Sequence, residues 1–134
     1  MPKFGVESKK QYATLHPKLQ RVFDEVIQHF DFAITTGFRN EYEQNIAYAK
    51  KLSQKRWPFG EHNHLPSTAA DAYPYPLDWS DDAKNIQRMC LFAGMVLATG
   101  WRLGINLRWG GDWNRNGDTR DENFRDYGHF ELDE

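Results

Sequence analysis

Residues 54–80 read QKRWPFGEHNHLPSTAADAYPYPLDWS and interrupt a helical pattern that runs on both sides of them. Pro58, Pro66, Pro74 and Pro76 remove backbone donors too often for a helix to pass through. Within this stretch HNHLPSTAADAY, residues 62–73, suits a loop entering a short strand. Upstream, Tyr12, Leu15, Leu19, Val22, Phe23, Val26, Ile27 and Phe30 recur at three- and four-residue steps. That spacing predicts an amphipathic helix over 8–30, which Pro17 either starts or kinks. DFAITTGF, residues 31–38, is β-branched and closed by Gly37, a strand running into a turn, and Asn40 then caps a second helix through Ser53. Downstream, Ser80 caps a third helix over about 81–99, with Ile86, Met89, Cys90, Ala93, Val96 and Leu97 on its buried face and Gly100 and Gly104 at its end. INLRWGGDW, residues 105–113, reads as a strand and Gly-rich turn, and GHFEL, residues 128–132, as a terminal strand. The expected class is α+β: about three helices packed on a small, mostly antiparallel sheet.

With 134 residues the chain suits one compact domain over 1–134, and no internal repeat marks off a second module. A composition of 40% hydrophobic and 27% charged residues excludes disordered and collagen-like classes. The net charge of −2 hides a division, because residues 112–134 hold three bases and eight acids. Scattered basic residues and an acidic end exclude a uniformly basic nucleic-acid binder. Cys90 is the only cysteine, so no intramolecular disulfide forms. The opening MPKFGVESKK has no apolar core of a signal peptide, and the apolar run Met89 to Trp101 is too short to span a bilayer. A soluble, cytoplasm-made monomer is expected, with Trp101 and Trp109 in its core and Trp113 walling a site.

Five histidines separate by position. His16 and His29 fall in the first helical region and read as cap or surface residues, whereas His62, His64 and His129 fall in irregular or strand regions that often carry catalytic groups. His64 and Asp71 have six residues between them, small and turn-prone, so imidazole and carboxylate could meet on one metal, with His129 as third ligand. By itself this spacing is a weak signal and fits a hydrogen-bonded loop better than a metal site.

TTGFRNEYEQ, HNHLPSTAAD, RWGGDWN and DYGHFEL occur in that order. Together they resemble the zinc peptidases of bacterial cell-wall metabolism: D-Ala-D-Ala dipeptidases, D,D-carboxypeptidases and phage L-alanyl-D-glutamate endopeptidases. Arg39, His64, Ala69, Asp71, Asp126 and His129 fill the positions of that family's signatures. Asp126 in place of Glu, and the WGGDWN segment, resemble the phage endopeptidase branch most. His62 stands where the family has Ser, and Ser67 where it has Gly. The resemblance implies a hedgehog/D,D-peptidase-like fold and a zinc ion on His64, Asp71 and His129. Asp126 would be the base, and Arg39 would stabilise the oxyanion or clamp a carboxylate. His62 is read as a supporting or substrate-contacting imidazole, with a fourth zinc ligand the less favoured alternative because it would close the site, and Ser67 would be strained if its position needs positive φ.

The implied activity is hydrolysis of the L-alanyl-D-glutamate bond of peptidoglycan stem peptides, in an endolysin held in the host cytoplasm until release to the wall. A D,D- or L,D-carboxypeptidase or dipeptidase, and a non-catalytic zinc-binding module, are the alternatives. A second metal loop is also suggested. Asp112, Asn114, Asn116, Gly117 and Asp118 match the start of an EF-hand-type calcium loop, closed by Asp121 or Glu122 because the twelfth position is Asn123.

Overall fold

The structure is a computed structural model and describes residues 2–133. Its elements run α1 (Val6–Tyr12), α2 (Pro17–Ile27), β1 (Phe32–Thr36), α3 (Glu41–Ala49), a 3-10 turn (Glu61–Asn63), β2 (Ala69–Pro74), α4 (Ala83–Leu103), β3 (Leu107–Gly110) and β4 (Asp126–Leu132). Four helices therefore replace the expected three, because the first helical pattern is two helices. Pro17 starts α2 at a position whose N–H would lack a helical partner anyway, and His16 caps it through Nδ1, which accepts the Lys18 amide at 3.1 Å.

The remaining helix ends also follow from their caps. Asn40 and Glu43 form a reciprocal capping box on α3. This helix stops short of Ser53, and Lys51 just beyond it turns left-handed at φ 60°. The cap of α4 is Asp82 rather than Ser80, its side chain accepting the Asn85 amide at 2.9 Å. Gly100 lies inside α4, where a Cβ would stand 2.9 Å from the Ile105 carbonyl oxygen; Gly104, at φ 71°, ends the helix.

The four strands form one antiparallel sheet in the order β1-β2-β4-β3. Side chains alternate across it. One face carries Ile34, Ala70, Ala72, Leu107, Trp109 and Phe130 into a core filled by Leu19, Val22, Phe23 and Val26 of α2 and by Phe92, Ala93 and Val96 of α4. Burying each large apolar side chain here contributes roughly 1.5–3 kcal/mol. Phe130 meets Phe23 and Phe92 edge-on, with centroids 6.4 and 5.8 Å apart. Trp109 is in this core as expected, but Trp101 is 71% exposed, off the stripe of α4 that faces the sheet. Phe92 takes the central place on that stripe, while Ile86, Cys90 and Leu97 are half-buried at its margin. Among the described residues no helix is long and apolar enough to cross a membrane.

The opposite face of the sheet carries the chemistry. Asp71 stands directly across from His129, and Glu131 has Ala69 on one side and Arg108 on the other.

Candidate metal centre and active-site cleft

Alternation explains why β2 and β4 supply polar groups to one face. In AADAYP the buried alanines 70 and 72 face the core, which turns Asp71 to the other side. In DYGHFEL, Phe130 faces the core and His129 and Glu131 face away from it. A third group arrives from the 3-10 turn. Gly60 N–H donates to Asn63 Oδ1 at 2.8 Å, and Asn63 Nδ2 donates to Arg39 O and Gln44 Oε1, so the turn is bound to α3 and to the segment just before it. Arg39 N–H donates to the His62 carbonyl at 2.8 Å. His62 is thereby pinned over the sheet.

His62, Asp71 and His129 are all buried, with one ligand atom from each within 4.8 Å of the others. The separations are 3.2 Å for His62 Nε2 to Asp71 Oδ1, 3.4 Å for His129 Nδ1 to Asp71 Oδ1, and 3.3 Å between the two ring nitrogens. Outer partners fix each group. The His62 Nδ1–H donates to Gly37 O at 2.7 Å, His129 Nε2 lies 2.8 Å from Glu131 Oε1, and Arg39 donates to Asp71 Oδ2 at 3.3 Å. A carbonyl and a carboxylate accept, so the protons sit on the outward nitrogens and the lone pairs of His62 Nε2 and His129 Nδ1 turn inward. They face Asp71 Oδ1, a buried oxygen that accepts no hydrogen bond. Three electron-rich atoms meeting at one point are stable only around a cation.

The electrostatics agree. Burial alone would raise the Asp71 pKa, but His62 and His129 hold its carboxyl well below the usual carboxylate range. Burial would lower His129; Asp71 and Glu131 beside it push it up to about 9, so in the absence of metal a proton serves as the cation.

His64 does not join this group. It follows the 3-10 turn with extended backbone (φ −83°, ψ 150°) and its side chain is exposed. The imidazole that meets Asp71 and His129 is His62, expected first as a supporting or substrate-contacting group and only second as a ligand. The expectation rested on the six-residue spacing to Asp71 and on the family signature, whereas a 3-10 turn at 61–63 brings His62 to the site and leaves the His64 side chain exposed. Ser67 is not strained either, since Lys51 and Arg115 are the only described non-glycine residues with positive φ. Its hydroxyl donates to Ala69 O at 2.7 Å.

Asp126 and Arg39 line the same cleft as His62 and His129, a depression of about 240 Å³ walled by Trp113 and Phe124. In a regular strand Asp126 and His129 would face opposite sides. The register breaks between Trp109 and Gly110, where Gly110 pairs with Asp126, and both side chains reach the cleft. Burial pushes the Asp126 pKa up to about 6, with the Asp71 charge adding to the shift. Trp113 stands 5.3 Å from the His129 ring, centroid to centroid, and its Nε1–H donates to Phe124 O. Glu131 and Arg108 were missed in the sequence; the signal was present, because Glu131 lies two residues after His129 and so shares its face.

The Asp112 to Glu122 loop joins β3 to β4, with no helix on either side. Asp112 accepts the Asn116 and Gly117 amides, and Asn114 and Asn116 side-chain amides donate to Asp121 Oδ2. Glu122 accepts from Asn114 N–H, and Asp118 pairs with Arg120. Among the described residues, the cluster with three His, Cys, Asp or Glu ligand atoms this close is His62, Asp71 and His129, not this loop.

A candidate cation site beside a carboxylate whose pKa is pushed up to about 6, open to a cleft, is what metal-dependent hydrolases require. Sequence comparison narrows that class: the family model for phage L-alanyl-D-glutamate peptidases matches residues 1–133, and the chain belongs to this family. It is 35% identical to the L-alanyl-D-glutamate peptidase of Escherichia phage T5 over 140 residues, covering 97% of each chain. The crystal structure of the Serratia marcescens L-Ala D-Glu endopeptidase ChiX shares the fold, with a TM-score of 0.74 at 21% identity over 98% of this chain and 90% of that one.

Proposed function

We propose that this protein is a zinc-dependent peptidoglycan endopeptidase that cleaves the L-alanyl-D-glutamate bond of murein stem peptides, with His62, Asp71 and His129 holding the zinc. The observation that carries the reading is the triangle of 3.2, 3.3 and 3.4 Å between their facing atoms. Tetrahedral coordination with bonds of 2.0–2.1 Å separates ligand atoms by roughly 3.3–3.4 Å. Two imidazoles and one carboxylate leave a fourth position for substrate or water, as a catalytic site needs. Bound there, the metal supplies Lewis acidity that polarises the scissile carbonyl and acidifies water.

The chain's own residues do the rest. Asp126, with a pKa near 6, accepts the proton of the attacking water and returns it to the leaving amine. Arg39 holds Asp71 through Oδ2, which leaves Oδ1 for the metal, and its place in the cleft lets its charge serve the developing oxyanion. Trp113 and Phe124 wall the cleft and exclude water from one side.

Family membership supports an endopeptidase over a carboxypeptidase or a non-catalytic module. The test is digestion of purified murein by zinc-loaded protein, with mass analysis of new amino termini. New D-Glu amino termini are expected. Release of D-Ala alone would establish a carboxypeptidase, and an unchanged digest would establish a non-catalytic module.

Calcium binding by Asp112, Asn114, Asn116, Asp118, Asp121 and Glu122 is a separate proposal, supported by the order of oxygen donors along the loop. The loop leads from Trp113 to Asp126, so its ordering would set the cleft wall and the base. Activity that stays flat across a calcium titration of chelated, zinc-reloaded protein would reject it.

A further inference from the structure

Glu131 is a carboxylate buried to 4% exposure in β4, an interior strand of the sheet. A buried charge of this kind persists only if it is paired, and well-packed apolar residues usually stabilise a core as well or better. Its two oxygens are divided: Oε1 lies 2.8 Å from His129 Nε2, and Oε2 accepts from Arg108 at 2.8 Å. The sheet register makes this division possible. Glu131 sits opposite Ala69 on β2, whose small side chain leaves room, and opposite Arg108 on β3. Arg108 then reaches the cleft, with its guanidinium 5.7 Å from the Trp113 ring centroid.

We propose that Glu131 and Arg108 are positioning residues of the metal centre: Glu131 fixes His129 as the tautomer that turns Nδ1 toward His62 and Asp71, and Arg108 holds Glu131 in place to do so. His62 needs no such pair because a backbone carbonyl, Gly37 O, orients its ring. His129 has no carbonyl partner at Nε2, so a side chain fixes its ring, and that side chain needs an anchor of its own. Without Arg108, Glu131 could turn away from His129 into the cleft, and the His129 ring would be free to present either nitrogen. A carboxylate behind a ligating imidazole also raises its basicity.

The inference rests on the reading of His62, Asp71 and His129 as the metal centre, and the test separates the two. Zinc affinity is measured by competition with a chromophoric chelator for the wild type, Glu131→Gln, Arg108→Met, Arg108→Lys and His62→Ala. The His129 Nε2–H proton is followed in 15N-edited spectra of the zinc-loaded proteins. Loss of a ligand-orienting partner costs about 10–100-fold in metal affinity. That loss is expected for Glu131→Gln, whose amide end must face either the His129 N–H or the Arg108 donors. Arg108→Met, at a side chain 34% exposed, should fold and bind zinc several-fold more weakly with a faster-exchanging Nε2–H, and Arg108→Lys should restore both. If Glu131→Gln does not fold, the two Arg108 variants decide. Wild-type affinity with a retained Nε2–H in every folded variant would overturn the proposal. Loss of zinc in His62→Ala alongside that result would leave the metal centre standing, whereas His62→Ala that binds zinc normally would remove the metal reading itself.

Discussion

Asp126 shows how one side chain's surroundings set its chemistry. Its carboxyl is driven from an ordinary value of 3.8 to about 6 by burial and by the Asp71 charge. A base must be deprotonated, so kcat/KM should fall about tenfold per pH unit below 6 and level off above it, as a pH–rate profile will show. The same shift bears on stability in the metal-free protein. Because the folded pKa is raised, the stability contributed by this group is fully present below about 4 and is lost as pH rises through 6. Asp126→Asn should therefore remove that slope from melting temperatures recorded against pH, while lowering activity 10²–10⁴-fold with zinc retained. A fully active Asp126→Asn enzyme would end the base assignment. At the ligands, His62→Ala should release zinc, and His64→Ala, at an exposed side chain, should keep both zinc content and activity; metal analysis of the purified variants distinguishes them.

At the scale of elements, the site depends on irregularities in otherwise regular pieces. The break in register at Trp109 and Gly110 brings Asp126 to the same cleft as His129. A Cβ on Gly110 would stand 2.1 Å from the Asp126 carbonyl oxygen, a backbone atom that cannot yield without moving β4. Gly110→Ala should thus cost about 1–3 kcal/mol by the usual penalty of overpacking, and should lower activity more than zinc content, since the base is displaced and the ligands are not. Thermal unfolding together with a metal assay will check this. The 3-10 turn at 61–63 is a second such irregularity. It is held by Asn63 to Arg39 and Gln44, contacts between segments about twenty residues apart that no local pattern announces.

For the whole molecule, the sheet divides the protein between a helix-packed core and a chemical face, and His62, Asp71 and His129 bring the turn, β2 and β4 together on that face. A ligand that binds only the folded state stabilises it by mass action, about 4 kcal/mol at a thousand times its Kd. Chelation should lower the melting temperature by several degrees, and zinc should restore it; calorimetry with and without chelator measures the difference. No change on chelation would mean that the three buried groups hold no metal in the folded protein.

Features encoded in short-range pattern are legible in the chain before it folds. Apolar periodicity locates α2 and α4, β-branched content and turn residues locate β1 and the loop into β2, and the family signature marks Asp71, Asp126, His129 and Arg39. The tertiary structure alone decided between His62 and His64, because the answer depends on a turn whose anchors lie on Arg39 and Gln44. It also decided that Trp101 is outside and Phe92 inside, and that Glu131 and Arg108 stand behind His129. Periodicity reports which face of an element is apolar. Which polar atoms meet is set by strand register, a break in it and the packing of one segment against another, and none of these is local in the chain.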